Sequence, residues 1–272
     1  MRLPMTMKLA MIVLAAAAFV FGAEEKTTEH KTFSGVRELV IDNVTGFIEV
    51  TASNGNAVEM DIDKTLSGDS ADRVALAKKE ISLNTTQEGG LLRLYVDGPF
   101  RHGGHWHEVY RFEYNFKVRV PRDVKLELHA VNHSHVTVDG TAGDYKISNV
   151  NGPIEMRDVS GSGSITTVNG GVKVLYARNP TGATQFKTVN GSLDISFRSG
   201  LNADLKMKTL NGGLYTDFDV TAMPVAGEPP ENHNGKLVWR SRRMTGVRIG
   251  QGGPELQFET LNGDVMVKNR EK

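Results

Sequence analysis

One short motif returns five times in the second half of this 272-residue chain and restricts its fold more than any other feature. The copies are Ser148-Asn149-Val150-Asn151-Gly152, Thr167-Val168-Asn169-Gly170, Thr188-Val189-Asn190-Gly191, Thr209-Leu210-Asn211-Gly212 and Thr260-Leu261-Asn262-Gly263. From Asn to Asn the steps are 18, 21, 21 and 51 residues, the last being one ordinary period plus an insertion of about 30. Asn and Gly are the residues that most readily take left-handed backbone conformations, so each pair marks a tight turn.

Around these turns apolar residues alternate, as in Leu193-Asp194-Ile195-Ser196-Phe197, which is the period of a strand with one apolar face. Simple hairpins would give a meander. The same turn at the same phase every 20 residues or so instead suits short strands stacked rung on rung. The expectation is an all-β fold, a single-stranded parallel β-solenoid of VNG repeats. Rungs about 4.8 Å apart would bring the Asn side chains into a hydrogen-bonding ladder and place the preceding Val or Leu inside the coil. On this reading Asn151, Gly152, Asn169, Gly170, Asn190, Gly191, Asn211, Gly212, Asn262 and Gly263 are structural turn residues.

Upstream, Val131-Asn132-His133 resembles a degenerate copy and Val44-Thr45-Gly46 an outlying one. Between them residues 69–81 break the strand pattern. Asp69 or Ser70 can cap a short helix there, with Val74, Ala77 and Ile81 as its apolar stripe. The expected organisation is a signal peptide over residues 1–22, an N-terminal β-rich part over 24–120 with the helix near 70–81, and solenoid repeats over 121–270 interrupted by an insertion at about 220–253.

Two segments carry a resemblance: Val120-Pro121-Arg122-Asp123-Val124-Lys125-Leu126-Glu127-Leu128 leading into the serial turns, and Gly252-Gly253-Pro254-Glu255-Leu256 leading into Thr260-Leu261-Asn262-Gly263-Asp264. Over roughly residues 33–268 the chain resembles the DUF4097 "putative adhesin" family, itself related to head domains of autotransporter adhesins. The resemblance implies a β-helical fold on a secreted or envelope-anchored bacterial protein. It supplies no catalytic residue.

Arg2 and Lys8 followed by the 13-residue apolar run Leu9–Phe21, then Gly22 and Ala23, read as a secretory signal. A run that short falls below the roughly 20 residues of a membrane span. Export to the periplasm, medium or cell surface is therefore expected, with anchoring by an uncleaved N-terminal segment as the alternative. The chain has no Cys, which excludes disulfides and thiolate metal sites. Cleavage removes two of the 32 basic residues and leaves 30 against 32 acidic ones, a net charge of −2 that offers nucleic acid no general attraction.

Two clusters could carry binding chemistry. His102, His105 and His107, with His133 and His135 in a second group, have the imidazoles to share a divalent metal, although a Gly- and His-rich loop is equally a solvated one. Trp239, Arg240, Arg242 and Arg243 offer an aromatic ring and guanidinium forks to anionic glycans or headgroups, or else guard a strand edge by charge. No nucleophile elbow, phosphate loop or HExxH sequence occurs. Asp194, Asp217 and Asp219 are the carboxylates that neighbouring rungs of a polysaccharide lyase would need. The function expected is thus non-enzymatic: an exported, adhesin-like interaction protein without cofactor, whose partner is an envelope or cell-surface glycan or protein. A metal- or anionic-glycan-binding module is the alternative, and a lyase the remote one.

Overall fold

The computed structural model describes residues 23–101, 109–132, 134–224, 231–233, 236–238 and 244–271. The chain divides into two compact units, Met1–Thr141 and Ala142–Lys272. In the first, β1 (Ala23–Ser34), β2 (Glu38–Asp42), β3 (Ile48–Ser53) and β4 (Ala57–Gly68) precede α1 (Ala71–Glu80). Then come β5 (Ser82–Glu88), β6 (Leu91–Asp97), β7 (Tyr110–Pro121), β8 (Lys125–Ala130) and β9 (Val136–Asp139). β1, β4 and β7 pair antiparallel, whereas β3 runs parallel to β7 and β9. β2 lies parallel between β6 and β8, and β5 pairs antiparallel with β6.

Alternation builds the core of this unit. Along β7 every second residue, Tyr110, Phe112, Tyr114, Phe116, Val118 and Val120, is buried. Helix α1 begins with Ser70 at the N-cap position and buries Val74 and Ala77, packing on β4, β1 and β7. Ile81, at its C-cap, is buried too, and the Lys64 ammonium donates to the Ile81 carbonyl at 3.2 Å. The two degenerate turn motifs meet: Thr45 and Asn132 form a parallel bridge, with Asn132 N–H on the Val44 carbonyl at 2.7 Å.

The second unit contains β10 (Tyr145–Asn151), β11 (Ile154–Val159), β12 (Gly163–Asn169), β13 (Val172–Tyr176), β14 (Thr184–Lys187), β15 (Leu193–Phe197) and β16 (Ala203–Lys208). It continues with β17 (Leu214–Thr216), β18 (Val220–Met223), β19 (Glu231–His233), β20 (Lys236–Val238), β21 (Thr245–Ile249), β22 (Glu255–Glu259) and β23 (Val265–Asn269). Its strands are ordered β10-β12-β14-β22-β16-β21-β18 and β11-β13-β15-β23-β17. Within these two orders pairing is parallel except for β21, which runs against both β16 and β18.

The expectation of a single-stranded parallel solenoid is overturned. The strands form two large mixed sheets of 10 and 11 strands, and β19 and β20 form a separate antiparallel pair. Burial on one face produces the same alternation in parallel and antiparallel strands, so alternation leaves direction open. Connections decide it. The two-residue Gly89-Gly90 link, with φ of +56° and +90°, has the left-handed backbone of a primed hairpin turn and reverses the chain between β5 and β6.

Regular coiling in sequence order is overturned as well. The last motif does not follow the fourth: β22 lies between β14 and β16, and β23 between β15 and β17. Leu256, Phe258, Val265 and Val267 are fully buried there, and the Phe258 and Phe186 rings stack at 5.0 Å.

Candidate interaction surface

The turn motif has three working parts. Thr hydroxyls reach back to the Gly carbonyl of the neighbouring turn: Thr167 to Gly152 at 3.1 Å, and Thr188 to Gly170, Thr260 to Gly191 and Thr209 to Gly263 each at 2.9 Å. The Asn amides form one continuous chain. Asn169 donates to Asn151 at 2.8 Å, Asn190 to Asn169 at 2.8 Å, Asn262 to Asn190 at 2.7 Å and Asn211 to Asn262 at 2.6 Å. Each glycine sits against its neighbour's backbone, so that a Cβ on Gly170, Gly191, Gly263 or Gly212 would lie 2.1–2.2 Å from the adjacent Gly carbonyl oxygen.

Because the Thr faces inward, alternation turns the next residue outward. Thr167, Thr188 and Thr260 are at most 3% exposed, whereas Val150 and Val168 are 37%, Leu261 42% and Leu210 68% exposed. The expectation that this Val or Leu packs inside is therefore wrong. The structure instead presents aliphatic side chains beside the Asn ladder, exposed at Val150, Val168, Leu261 and Leu210 and half-buried at Val189 between them. The buried threonine hydroxyl, satisfied by a carbonyl, takes the core position that hydrophobicity alone would assign to the aliphatic residue.

Beside the terminal strand β17 is a groove of about 480 Å³ lined by Tyr215, Thr216, Asp217, Asp264, Met266, Val267 and Lys268. Its charges serve the scaffold. Asp264 accepts the Gly213 N–H at 2.8 Å, Asp217 accepts the Asn269 N–H at 2.5 Å, and Lys268 pairs with Asp194 at 2.9 Å. β23 separates β15, which carries Asp194, from β17, so Asp194 and Asp217 are not on adjacent rungs as a lyase constellation would require. Asp219 lies exposed between β17 and β18.

Of the five candidate histidines only His135 is among the described residues. Its ring stacks on Phe47 at 5.0 Å, and Nε2 lies 3.3 Å from Glu49 Oε1. His102, His105, His107 and His133 lie outside the described residues, as do Trp239, Arg240, Arg242 and Arg243. Among the described residues no group of three or more His, Asp or Glu is placed to hold a metal ion. Arg248 binds both oxygens of Asp204, at 2.7 and 2.8 Å, which holds the Asp204 carboxyl below its ordinary range. Leu210, Tyr215 and Met266 were not legible as surface residues. The signal available for the first was the small polar residue, Thr209, directly before it.

The fold and surface thus define a mostly β scaffold built on two large mixed sheets, with turns stacked along an Asn ladder. No family model and no curated protein matches the chain. Among solved structures it is similar to one named "putative cell adhesion protein" from Clostridium sporogenes, at 9% identity over 90% of this chain and 100% of that one, with a TM-score of 0.46. A "putative lipid binding protein" from Parabacteroides distasonis is 12% identical over 89% and 96% of the two chains, with a TM-score of 0.32. A "putative adhesin" from the same species is 13% identical over 90% and 97%, with a TM-score of 0.27. At these scores the likeness carries no functional argument. Among the described residues no helix is long and apolar enough to cross a membrane.

Proposed function

We propose that this chain is a non-enzymatic, exported interaction protein of the bacterial envelope, adhesin-like in that it binds through a scaffold surface. The observation that carries this reading is the exposure of Val150, Val168, Leu261 and Leu210 beside the Asn ladder. Single exposed aliphatics are ordinary on a protein surface, but here four of the five stacked turns expose one beside the ladder, an apolar surface of the kind that marks contact with a partner. The ladder fixes its backbone beforehand, so little ordering entropy opposes binding. The groove carboxylates, engaged by backbone N–H groups and Lys268, suit a scaffold better than an acid–base pair.

The test uses the fluorescently labelled mature chain, residues 24–272, and isolated envelopes of the producing bacterium. Saturable binding is expected, weakened about tenfold by Val150→Lys with Val168→Lys. Equal binding by wild type and variant, or no saturable binding, overturns the reading. Export is read separately by fractionating cells that make a C-terminally tagged chain, and retention in the cytoplasm rejects it.

A further inference from the structure

Asn-Gly is a dipeptide whose side-chain amide and following backbone nitrogen react with each other readily, because glycine has no Cβ to obstruct the approach. The chain has seven such pairs, beginning at Asn54, Asn151, Asn169, Asn190, Asn211, Asn234 and Asn262. In the reaction the Gly nitrogen gives its proton to solvent base and bonds to the Asn Cγ. The bond from Cγ to Nδ2 breaks, and ammonia leaves behind a cyclic imide. Water then opens the imide at one carbonyl or the other, so that Asn and water become ammonia and either aspartate or isoaspartate. No oxidant, metal or enzyme is needed.

Stacking ties up the reacting groups at three of the pairs. Asn169 Nδ2 donates to Asn151 Oδ1 at 2.8 Å, and the Gly170 N–H to the Asn190 carbonyl at 3.0 Å. Asn190 Nδ2 donates to Asn169 Oδ1 at 2.8 Å, and the Gly191 N–H to the Asn262 carbonyl at 2.9 Å. Asn262 Nδ2 donates to Asn190 Oδ1 at 2.7 Å, and the Gly263 N–H to the Asn211 carbonyl at 2.9 Å. Each of the three side-chain oxygens also accepts the amide of the next turn. Cγ and the Gly nitrogen cannot swing together until these bonds break. At about 1 kcal/mol each, three bonds slow the reaction by at least about tenfold.

Asn54 and Gly55 stand outside the stack. They connect β3 to β4, which flank β7 on its two sides, so residues 54–56 pass the end of β7, where Ser53 pairs with Pro121. Among the described residues neither Asn54 nor Gly55 has a hydrogen-bond partner. Around Gly55 the backbone is uncrowded too: a Cβ there would meet only the Ser53 hydroxyl, at 3.6 Å. Exposure does not separate the two groups, since Asn54, Asn169, Asn190 and Asn262 are all exposed. Hydrogen bonding does.

We infer that Asn54 is a site of spontaneous covalent modification, converted through a cyclic imide with Gly55 to aspartate and isoaspartate while the stacked Asn169, Asn190 and Asn262 are preserved. Either product adds a negative charge to the β3–β4 connection, and isoaspartate also adds a methylene to its main chain. The modification is independent of what the aliphatic surface beside the ladder binds.

The test ages the mature chain, residues 24–272, in mildly alkaline buffer, folded in one arm and unfolded in urea in the other. Peptide mapping by mass spectrometry then reads the conversion of amide to acid at each pair, with isoaspartate separated from aspartate by elution. In urea the four pairs should convert at similar rates. In the folded chain Asn54 should keep its rate to within about threefold, whereas Asn169, Asn190 and Asn262 should slow by at least about tenfold. Gly55→Ala, whose methyl group has room in the folded chain, should slow conversion of Asn54 by about tenfold. Slowing of Asn54 in the folded chain as great as that of the stacked residues overturns the inference. So does conversion of any of those three at the rate of Asn54, or undiminished conversion of Asn54 in Gly55→Ala.

Discussion

At the scale of single residues, the glycines of the turns are needed for closeness more than for backbone conformation. Gly152 and Gly263 have positive φ, at +157° and +150°, but every turn glycine from Gly170 onward rests on its neighbour's carbonyl. Gly200 offers the contrast, with φ of +76° and open space where a Cβ would stand. Gly191→Ala should therefore lower stability by about 3 kcal/mol, since backbone must move to admit the methyl group. Gly200→Ala should cost only about 1 kcal/mol of left-handed strain. Urea unfolding of the two variants measures the difference, and equal losses would mean that backbone conformation governs both sites. The Asn-Gly pairs were expected as turns from their left-handed preference, which only Gly152 and Gly263 show, and close approach is a relation between residues 18 to 72 positions apart that leaves no trace beside either one.

At the scale of elements, β10 and β13 carry a buried tyrosine pair. The Tyr145 and Tyr176 hydroxyls hydrogen-bond to each other, and Tyr176 stacks on Phe197 of β15 at 5.0 Å. Burial, which disfavours the phenolate, pushes both hydroxyls well above the ordinary value near 10. The folded chain therefore keeps protons that the unfolded chain releases above that value. The resulting stability is complete below pH 10 and is lost as pH rises further. Wild type should lose stability more steeply between about pH 10 and 11 than the Tyr145→Phe, Tyr176→Phe double variant, as guanidinium midpoints across that range would show. A parallel fall in both would reject the assignment. Strand positions were readable from alternation, and α1 from its apolar stripe of Val74 and Ala77, because those patterns are local, whereas Ser70 stands at the N-cap without a side-chain cap bond. The direction of each strand was not, because alternation records burial and is blind to whether the neighbour runs parallel or antiparallel.

At the scale of the whole chain, the placement of the last motif matters most. β22 and β23 fill the space between rungs that precede them in sequence, so β16 and β17 depend on strands about 50 residues further along. Phe258→Ala, which empties a fully buried ring site stacked on Phe186, should cost about 3–5 kcal/mol. It should also speed amide exchange in both β14 and β16. Faster exchange in β22 alone would mean that the rungs are stable separately. By itself the sequence determined that the chain is mostly strand, where it turns, which short helix interrupts it, and that Asn recurs at ladder spacing, since these follow from backbone preference and one-sided burial within a few residues. Only the tertiary structure decided that the strands enter two mixed sheets, that Thr rather than Val or Leu turns inward, and that the fifth turn sits between the third and the fourth. Those outcomes depend on which strand lies alongside which, and a parallel neighbour one rung away offers the same hydrogen bonds whatever its place in the chain.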